Sequence, residues 1–491
     1  MVREEVSTMT ISDPLRAWAS TERAFASLRR TKIVATLGPS TDGRLDELIA
    51  AGMDCARLNC SHSSRADLIR RTAELRACAT AAGRPVAVMF DLQGPKIRLA
   101  GDTAQRKLEV GEQVTLSDPG NDERDALALT VAYDGFCELL TDRSEVVIGD
   151  GAPRLRVVSV DGASATAVVS VPGPVSSHKG VNVTHAHTVA PALTSKDVAD
   201  ADAAVECDAD FVALSFVRCA EDVLQLREQL DRLGSAARII AKIEKVEAFD
   251  RLDAILDVAD GVMVARGDYG VEAGIARVPE MQKETIHQAS GQGKVVITAT
   301  QMLESMISSP LPTRAEAADV FNAIMDGTSA VMLSAETGVG SYPVEAVRTM
   351  AEIAEIAERQ EIYCGPHAMP PRPDEAVMHA AVALARDVDA AAIVVPTTTG
   401  RTARQCARYR PRRPVHALCE DERVCCQLAL EWGVFPTMFE HSASTDELLE
   451  RALRLAADLN GLHSGDAVVI TAGQVVGASG ATNLITLRFV P

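Results

Sequence analysis

The chain has 491 residues, more than one hydrophobic core usually supports, so about three domains are expected. Hydrophobic residues make up 47% and charged residues 24%, which excludes a mainly disordered or collagen-like protein. The formal net charge of −19 disfavours nucleic acid or an anionic membrane surface as a partner. An anionic substrate would therefore need metal ions, arginine or lysine concentrated at one site.

Cysteine usage and the start of the chain predict a cytoplasmic protein. The 11 cysteines are dispersed without a C-x-x-C pair, a pattern typical of reduced thiols. No apolar run approaches the roughly 20 residues that span a bilayer, and the first residues lack the apolar centre of a signal peptide. Residues 1–28 are interpreted as an extension with a short helix of unknown function.

Eight short apolar runs, most of them followed by a helical segment, are typical of buried parallel strands. They begin at Thr31, Met53, Pro85, Phe211, Arg238, Gly261, Val295 and Ser329. These units predict an α/β fold, a (β/α)8 TIM barrel over residues 29–93 and 190–360, with its chemistry at the C-terminal ends of the strands.

The interval between the third and fourth strands is too long for one helix. It is rich in valine and threonine, alternates in polarity, and carries turn signals at Asp161-Gly162 and Pro172-Gly173-Pro174. We expect an inserted small β-barrel domain over residues 94–189, hinged near Gly94-Pro95 and Pro191. An insertion at this place suggests a lid that closes over the barrel mouth.

A proline-rich linker follows a helix that we expect to end near Glu361. Five strand-like runs then alternate with helices, one of them from Ser444-Thr445 to Gly461. Residues 361–491 are therefore predicted to form a C-terminal open α/β domain.

Polar residues at the ends of the eight predicted strands form a candidate site. They are Arg57, Asn59, Asp91, Ser215, Lys242, Glu244, Arg266, Asp268, Thr300, Ser334 and Glu336. Any one of them could simply end a strand, but the whole set predicts a functional site.

Lys242 and Glu244 alternate along one strand, so their side chains should point the same way, and Asp268 is expected on the neighbouring strand. Two converging carboxylates favour Mg²⁺, or Mn²⁺, over zinc because no histidine or cysteine accompanies them. A structural ion pair of Lys242 with either carboxylate is the alternative.

The segment Ala265–Gly270 reads ARGDYG. Gly267 and Gly270 would let the backbone approach a ligand, and the start of the following helix would offer N–H groups to a carboxylate or phosphate. An adhesion role for the RGD tripeptide is rejected because the segment ends a buried strand.

Long motifs in this order make the sequence resemble pyruvate kinase from about Arg29 to Val490. They include RRTKIVATLGPS, ARLNCSHSS, FDLQGPKIR, SHKGVNV, DFVALSFVR, VMVARGDYGVE, VITATQMLESM and AVMLSAETGVGSYPVEAV. The resemblance implies a glycolytic phosphotransferase that moves the phosphoryl group of phosphoenolpyruvate to ADP, giving pyruvate and ATP.

The resemblance also implies roles for individual residues. Lys242 would stabilise the transferring group, Glu244 and Asp268 would bind Mg²⁺, and Arg57 would hold the phosphate. The substrate carboxylate would be held by Gly267, Asp268 and Thr300, with Ser215 nearby. The nucleotide would meet Pro39, Asn59, His62, Arg98, Asp150 and Lys179. Thr300 and Ser334 match hydroxyls that relay a proton to the enolate; which group donates it is left open.

Asn59, Ser61, Asp91 and Leu92 match the family's monovalent-cation pocket. Many relatives have glutamate where this chain has Lys96, one of only nine lysines. We expect the Lys96 ammonium to replace K⁺, as in potassium-independent members of the family; the alternative is that it points to solvent.

Two loops of the C-terminal domain match the family's effector pocket. One comprises Thr397, Thr398, Thr399, Gly400, Arg401 and Thr402, and the other is glycine-rich and includes Gly477 and Gly480. Hydroxyls and backbone N–H groups in such loops favour a phosphorylated effector, and the resemblance implies a homotetramer. Ordinary turns are the alternative for either loop.

The chain departs from the family near the end of the insertion, where His185 and His187, with His178, would be able to bind a metal or simply be solvated. Two other functions would require different residues. A Mg²⁺-dependent lyase or aldolase acting on a keto acid would not need Asp150 and Lys179, and a non-catalytic sensor would have lost catalytic residues.

Overall fold

The structure is a computed structural model that describes residues 29–95, 97–121, 128–149, 151–184, 192–360, 373–473 and 482–491. None of the helices within these ranges is both long enough and apolar enough to cross a membrane.

The chain enters the barrel through two strand–helix units and a third strand, all with buried apolar residues. These elements are β1 (Lys32–Leu37), α1 (Leu45–Ala51), β2 (Cys55–Asn59), α2 (Arg65–Ala81) and β3 (Ala87–Asp91). A 3-10 turn at Pro39–Thr41 follows β1.

The insertion after β3 is an all-β unit, as the alternating sequence predicts. Its strands are β4 (Arg106–Leu108), β5 (Gln113–Ser117), β6 (Leu129–Thr130), β7 (Glu145–Ile148), β8 (Arg154–Asp161), β9 (Ser164–Val171), β10 (Gly173–Val175) and β11 (Val181–Thr184). They form a six-stranded sheet in the order β11-β7-β8-β9-β5-β6 and a two-stranded sheet of β10 and β4. Asp161-Gly162 makes the predicted turn, but the Pro172–Pro174 segment is only in part a turn because Gly173 and Pro174 pair with β4.

The second part of the barrel supplies five more strands. Its elements are α3 (Ser195–Glu206), β12 (Phe211–Leu214), α4 (Ala220–Arg232), β13 (Arg238–Ile243), α5 (Val246–Asp250), α6 (Leu252–Val258), β14 (Gly261–Ala265), α7 (Arg266–Ala273), α8 (Val278–Gly291), β15 (Val295–Ala299), α9 (Arg314–Met325), β16 (Ala330–Leu333), α10 (Ala335–Gly338) and α11 (Pro343–Ala357). Helix α11 ends four residues before the expected Glu361, which lies outside the described residues.

The eight barrel strands close in the order β1-β16-β15-β14-β13-β12-β3-β2, and every pairing is parallel. The (β/α)8 barrel is therefore confirmed. Because all strands run the same way, their C-terminal ends meet at one mouth, and the insertion leaves from that mouth after β3.

The C-terminal domain is an open α/β sheet, as expected. Its elements are α12 (Pro373–Asp387), β17 (Ala392–Thr397), α13 (Arg401–Ala407), β18 (Val415–Cys419), α14 (Glu422–Leu428), β19 (Val434–Met438), α15 (Thr445–Asn460), β20 (Ala467–Gly473) and β21 (Thr482–Phe489). The strand order is β19-β18-β17-β20-β21, with only the β20–β21 pairing antiparallel. Helix α15 has the predicted limits, capped by Ser444 and ended by Gly461 in the left-handed conformation.

The C-terminal domain packs on the base of the barrel, away from the mouth. Lys32 at the start of β1 donates from Nζ to the carbonyl oxygen of Val434 at 2.7 Å, and Gly433 donates its backbone N–H to Arg30 at 2.9 Å. The domain is thus positioned against the ends of the strands that are remote from the candidate site.

Candidate active site

The polar strand ends meet in an open cleft at the mouth of the barrel, whose empty space is about 610 Å³ including solvent at its entrance. Its lining includes thirteen predicted site residues: Arg57, Asn59, Ser61, His62, Asp91, Leu92, Arg98, Ser215, Lys242, Glu244, Asp268, Thr300 and Ser334. Sequence reasoning did not name Gln93, Phe216, Met263, Ala265 and Met332, which also line it.

Lys242, near the end of β13, is the charged centre of the cleft. Its ammonium lies 3.2 Å from Oδ1 of Asp91, 3.0 Å from Oε1 of Glu244 and 2.7 Å from Oγ of Ser215. Burial alone would lower the pKa of Lys242, but the charges of Asp91 and Glu244 outweigh it and raise the pKa above its ordinary value. The structural ion pair considered from the sequence is therefore present, and it keeps a positive charge at the cleft.

Glu244 follows β13 directly and is almost fully buried. Its Oε2 accepts a hydrogen bond from the backbone N–H of Phe216 at 2.7 Å, and its other oxygen faces Lys242. Burial raises the pKa of Glu244, the charge of Lys242 opposes this rise, and the charge of Asp268 adds to it. Two carboxylates that repel each other in a buried cleft provide the oxygen donors that a divalent cation prefers.

Arg57, on β2, is held against the cleft by side chains from two neighbouring strands. Its Nε donates to Oδ2 of Asp91 at 2.7 Å, and its Nη1 donates to Oγ1 of Thr36 at 3.0 Å. Burial alone would raise the pKa of Asp91, but Lys242 and Arg57 together hold it below its ordinary value. Asp91 is thus an ionised anchor for two cations, one on each side.

The turn after β15 has unusual backbone geometry. Thr300 and Gln301 have φ of 67° and 53°, values that L-residues adopt at a cost and that cluster at functional sites. In this conformation Oγ1 of Thr300 accepts from the backbone N–H of Gly267 at 2.9 Å and donates to the carbonyl of Ala299 at 2.7 Å. The hydroxyl is therefore fixed beside the start of α7.

The sequence expectation for the ARGDYG segment is wrong in one respect. We expected the glycines and Asp268 at a strand end before the helix, but α7 already begins at Arg266, so Gly267, Asp268 and Gly270 lie in its first turns. A Cβ at Gly267 would lie 3.8 Å from Oγ1 of Thr300, an ordinary van der Waals contact. The segment still faces the cleft, since Asp268 lines it.

Ser334 lies at the end of β16, where the carboxylate of Glu336 holds the backbone. Glu336 accepts from the N–H of Ser334 at 2.7 Å and from the N–H of Leu303 at 3.1 Å. This buried carboxylate links the end of β16 to the segment that follows Thr300. Glu336 therefore helps to position the backbone near both predicted hydroxyl groups, those of Ser334 and Thr300.

The insertion contributes Arg98 to the cleft. Its Nη1 donates to the carbonyl oxygen of His178 at 3.0 Å, and its backbone bridges Gly180. Lys179 and Pro39 are not among the residues lining this cleft. Lys96 and Asp150 fall outside the described residues.

The first predicted effector loop joins β17 to α13. Gly400 adopts φ of 76° and donates its N–H to Oγ1 of Thr397 at 3.0 Å, while Thr398 and Thr399 are exposed. Gly477 and Gly480 of the second loop lie outside the described residues, as do His185 and His187. Within the described ranges, no group of three or more His, Cys, Asp or Glu residues is arranged to hold a metal ion.

The barrel with its β insertion and the charged lysine between carboxylates suit an enzyme that acts on an anionic substrate. Comparisons with known proteins identify the class, a phosphotransferase, and the family. The family "Pyruvate kinase, barrel domain" matches residues 28–347, and "Pyruvate kinase, alpha/beta domain" matches residues 375–487. The chain belongs to the pyruvate kinase family.

Three similar proteins, each named pyruvate kinase, match this chain over most of its length. That of Clostridium acetobutylicum is 40% identical over 473 residues, covering 94% of this chain and 100% of the relative. That of Geobacillus stearothermophilus is 41% identical over 480 residues, with 94% and 80% coverage. That of Methylorubrum extorquens is 40% identical over 473 residues, with 94% and 98% coverage.

Proposed function

We propose that the cleft transfers the phosphoryl group of phosphoenolpyruvate to ADP, giving pyruvate and ATP. The observation that carries this proposal is the Lys242 ammonium, held 3.0 Å from Glu244 and 3.2 Å from Asp91 at the barrel mouth. A compact, permanently charged group beside a transferring phosphoryl group stabilises the negative charge spread over its oxygens. Arg57, oriented by Asp91 and Thr36, binds the substrate phosphate.

The substrate carboxylate is bound where Thr300 meets the start of α7. Gly267 and Asp268 lie there in the first turn of α7, where the N–H of Asp268 points to the substrate carboxylate in this proposal and the N–H of Gly267 donates to the Thr300 hydroxyl at 2.9 Å and fixes it beside them. We propose that after phosphoryl transfer the hydroxyls of Thr300 and Ser334 relay a proton to the enolate carbon, with the group that donates it left open. Ser215 bridges Lys242 and the backbone of Leu92.

Glu244 and Asp268 fit a divalent cation because both are oxygen donors that line one cleft and repel each other. Mg²⁺, or Mn²⁺, held there would neutralise charge on the phosphoryl and enolate oxygens. Arg98 from the insertion favours a nucleotide-dependent reaction over the lyase alternative, since it brings a lid cation to the same cleft. Asn59 and His62, which also line the cleft, are proposed to contact the nucleotide, together with Pro39, Asp150 and Lys179.

The function is tested by a coupled assay for pyruvate and ATP with phosphoenolpyruvate, ADP and MgCl2. We expect turnover by the wild type and a loss of two or more orders of magnitude in Asp268→Asn, because one oxygen ligand is lost while the shape is kept. The variant should keep the wild-type circular dichroism spectrum. Wild-type turnover in Asp268→Asn, or a keto-acid cleavage activity without ATP formation, would contradict the proposal.

We propose that activity does not require potassium. The support is the sequence: Lys96 stands in a motif where many members of the family carry glutamate, and Asn59, Ser61 and Asp91 match the family's cation positions. An ammonium about 4 Å from a bound K⁺ would repel it by about 4 kcal/mol at an effective dielectric of 20.

Activity in potassium-free buffer should therefore change little when KCl is added, and Lys96→Glu should become potassium-dependent. NaCl at equal ionic strength is the control for both proteins. Strong activation of the wild type by KCl but not by NaCl would refute the replacement of K⁺ by Lys96.

Regulation by a phosphorylated metabolite is proposed for the loop of Thr397–Thr402. Its exposed hydroxyls and Arg401 offer donors to a phosphate, and it matches the family's effector loop. The homotetramer that the family implies belongs to the same proposal. Saturation curves for phosphoenolpyruvate, measured with a panel of sugar phosphates and AMP, test this proposal. Curves that none of these compounds changes would contradict an effector site in this loop.

A further inference from the structure

A second cavity lies between the base of the barrel and the C-terminal domain, at the opposite end of the strands from the active site. Its empty space is about 250 Å³, a figure that includes solvent at its open side, so the enclosed part is much smaller. The barrel contributes residues that immediately precede β15 and β16, and the C-terminal domain contributes α13 and the segments near it. The lining side chains that matter below are Lys294, Ser329, Arg404, Arg408, Arg410 and Trp432.

Positive charge prevails in this cavity. Four lining side chains are cationic, and the cavity has a single lining carboxylate among the described residues, that of Glu431, which accepts from Nε of Arg404 at 3.1 Å. Lys294 donates to the backbone carbonyl of Ala259 at 2.8 Å, so this bond leaves its charge in place. In a protein with a formal net charge of −19, such a local excess of cations is unexpected unless an anion is accommodated there.

Arg408 has a carboxylate outside the lining, Glu375, 3.6 Å from Nη1. Asp260 acts on the charges of both Lys294 and Arg404, but it is itself bonded by Arg227 at 2.7 Å. Neither Glu375 nor Asp260 lines the cavity, so among its lining residues four cationic side chains face one carboxylate.

Three buried N–H groups of the lining side chains have no acceptor among the described residues. They are Nη2 of Arg404, Nε of Arg408 and Nε1 of Trp432. The side chains of Arg404 and Arg408 are only 10% and 7% exposed, and Trp432 is 3% exposed. Buried donors are normally satisfied, so three orphaned donors around one cavity point to an acceptor-rich occupant.

Arg404 is a buried cation whose lost hydration is only partly replaced. Burial, reinforced by the charge of Arg238, lowers its pKa to about 10, and Glu431 only partly compensates. The guanidinium therefore stays charged at neutral pH but has lost hydration that a single carboxylate does not replace. An anion beside the guanidinium would supply the acceptor oxygens that water provides to an exposed arginine.

We infer that this cavity binds a small tetrahedral oxyanion of the phosphate type. Such an ion offers mainly acceptor oxygens to a set of donors, and its negative charge matches the cationic lining. The enclosed space is small, so admission of the ion requires the partly exposed side chain of Lys294 to shift outward. The inference concerns binding alone and does not depend on the reaction proposed for the cleft.

A bound oxyanion would contact both domains and stabilise their junction. Lys294 immediately precedes β15, the strand that leads to Thr300. Arg404 donates from Nη1 to the carbonyl of Thr399 at 2.9 Å, in the loop before α13. A bound oxyanion that contacts both cations would therefore couple the base of the barrel to that loop and raise the stability of the intact chain.

The chain has two tryptophans, so Trp18→Phe leaves Trp432 as a fluorescent reporter inside the cavity. In this parent, sodium phosphate should shift Trp432 emission saturably and raise the melting temperature, whereas sodium chloride at equal ionic strength should do neither. Lys294→Gln and Arg410→Gln, added separately, should weaken the phosphate midpoint at least about tenfold, the loss expected for one charged hydrogen bond.

Lys283→Gln is the matched control, since Lys283 is 61% exposed and pairs with Asp326 outside the cavity. It should keep the parent midpoint, and all variants are compared by circular dichroism before titration. Equal phosphate midpoints in the parent, Lys294→Gln and Arg410→Gln would place the ion elsewhere and overturn the inference. An emission and melting temperature that respond no more to phosphate than to chloride would overturn it as well.

Discussion

Lys242 is the residue whose removal the structure makes most costly. Its side chain is 12% exposed, and it separates Asp91 and Glu244, whose side chains are each 1% exposed. Removing one member of a buried charge cluster leaves the remaining charges without compensation, which typically costs about 3–5 kcal/mol.

We predict that Lys242→Met abolishes turnover and also lowers stability in a pH-dependent way. Without the ammonium, burial holds the folded-state pKa of Glu244 still further above its unfolded value, whereas Asp91 keeps Arg57 as its partner. The variant's stability should therefore be lost as pH rises through the raised pKa of Glu244 and be regained below its unfolded value. Melting temperatures of wild type and variant between pH 4 and 8 should diverge as pH increases.

Lys245→Met serves as the control because its partner, Glu272, lies 2.8 Å away in a pair that is more open to solvent. It should show a smaller deficit with little dependence on pH. A constant melting-temperature difference between wild type and Lys242→Met across the range would show that the carboxylates do not depend on this charge.

At this scale the sequence predicted Asp91, Lys242 and Glu244 at strand ends, because each closes or directly follows an apolar run, whereas Arg266, Asp268 and Glu336 lie in helices. It did not predict the contributions of Phe216 and Thr36. Phe216 acts through a backbone N–H, and Thr36 lies within β1 and acts by orienting Arg57, so neither leaves a pattern in the sequence.

Among the elements, β15 and the turn after it carry the most constrained geometry. Arg266 donates from Nη2 to the carbonyl of Thr300 at 2.6 Å, from Nε to the carbonyl of Ala299 at 3.1 Å, and from Nη1 to Asp319 at 2.5 Å. One planar guanidinium thus fixes a strained turn from three directions. A lysine ammonium does not reproduce this fork.

We predict that Arg266→Lys lowers kcat by about 10–100-fold and raises the KM for phosphoenolpyruvate, because the Thr300 hydroxyl loses its fixed position. The Mg²⁺ dependence should stay as in the wild type, since Glu244 and Asp268 are retained. Steady-state kinetics at varied substrate and MgCl2 measure both effects.

Arg227→Lys is a chemically matched control, as Arg227 also binds a backbone carbonyl, that of Ala237, and a carboxylate, that of Asp260. It should leave both kinetic constants near wild type. Equal effects of the two substitutions would show that Arg266 is merely structural.

The element boundaries show what local sequence can and cannot specify. Apolar runs were sufficient to predict all eight barrel strands, since each strand is buried throughout or nearly so. The start of α7 at Arg266 was missed because Gly267 and Gly270 disfavour a helix, and only tertiary contacts such as the Gly267–Thr300 hydrogen bond stabilise it there.

For the whole molecule, the decisive contacts join segments that are far apart in the chain. Glu358, one residue past α11, accepts from the backbone N–H groups of Arg30 at 2.8 Å and Thr31 at 2.5 Å. The Arg30 guanidinium lies 5.3 Å from the ring of Trp432. Arg30 and Thr31 are more than 300 positions from Glu358 along the chain, and Trp432 belongs to the C-terminal domain. No periodicity or motif therefore predicted this junction or the cavity beside it.

We predict that Glu358→Gln weakens the junction of the barrel and the C-terminal domain. An amide has one acceptor oxygen where the carboxylate has two, and its NH2 group would face the N–H groups of Arg30 and Thr31. Leaving a buried donor unsatisfied costs about 1–3 kcal/mol. In differential scanning calorimetry the variant should begin to unfold at lower temperature, with the domain transitions more widely separated than in the wild type.

Glu352→Gln, on the exposed side of α11, provides the comparison because it changes the same charge without touching the junction. Its calorimetric profile should match that of the wild type. Identical profiles for Glu358→Gln and Glu352→Gln would mean that the carboxylate of Glu358 adds nothing beyond its charge, and that the packing of Lys32, Arg30 and Trp432 alone holds the C-terminal domain on the barrel.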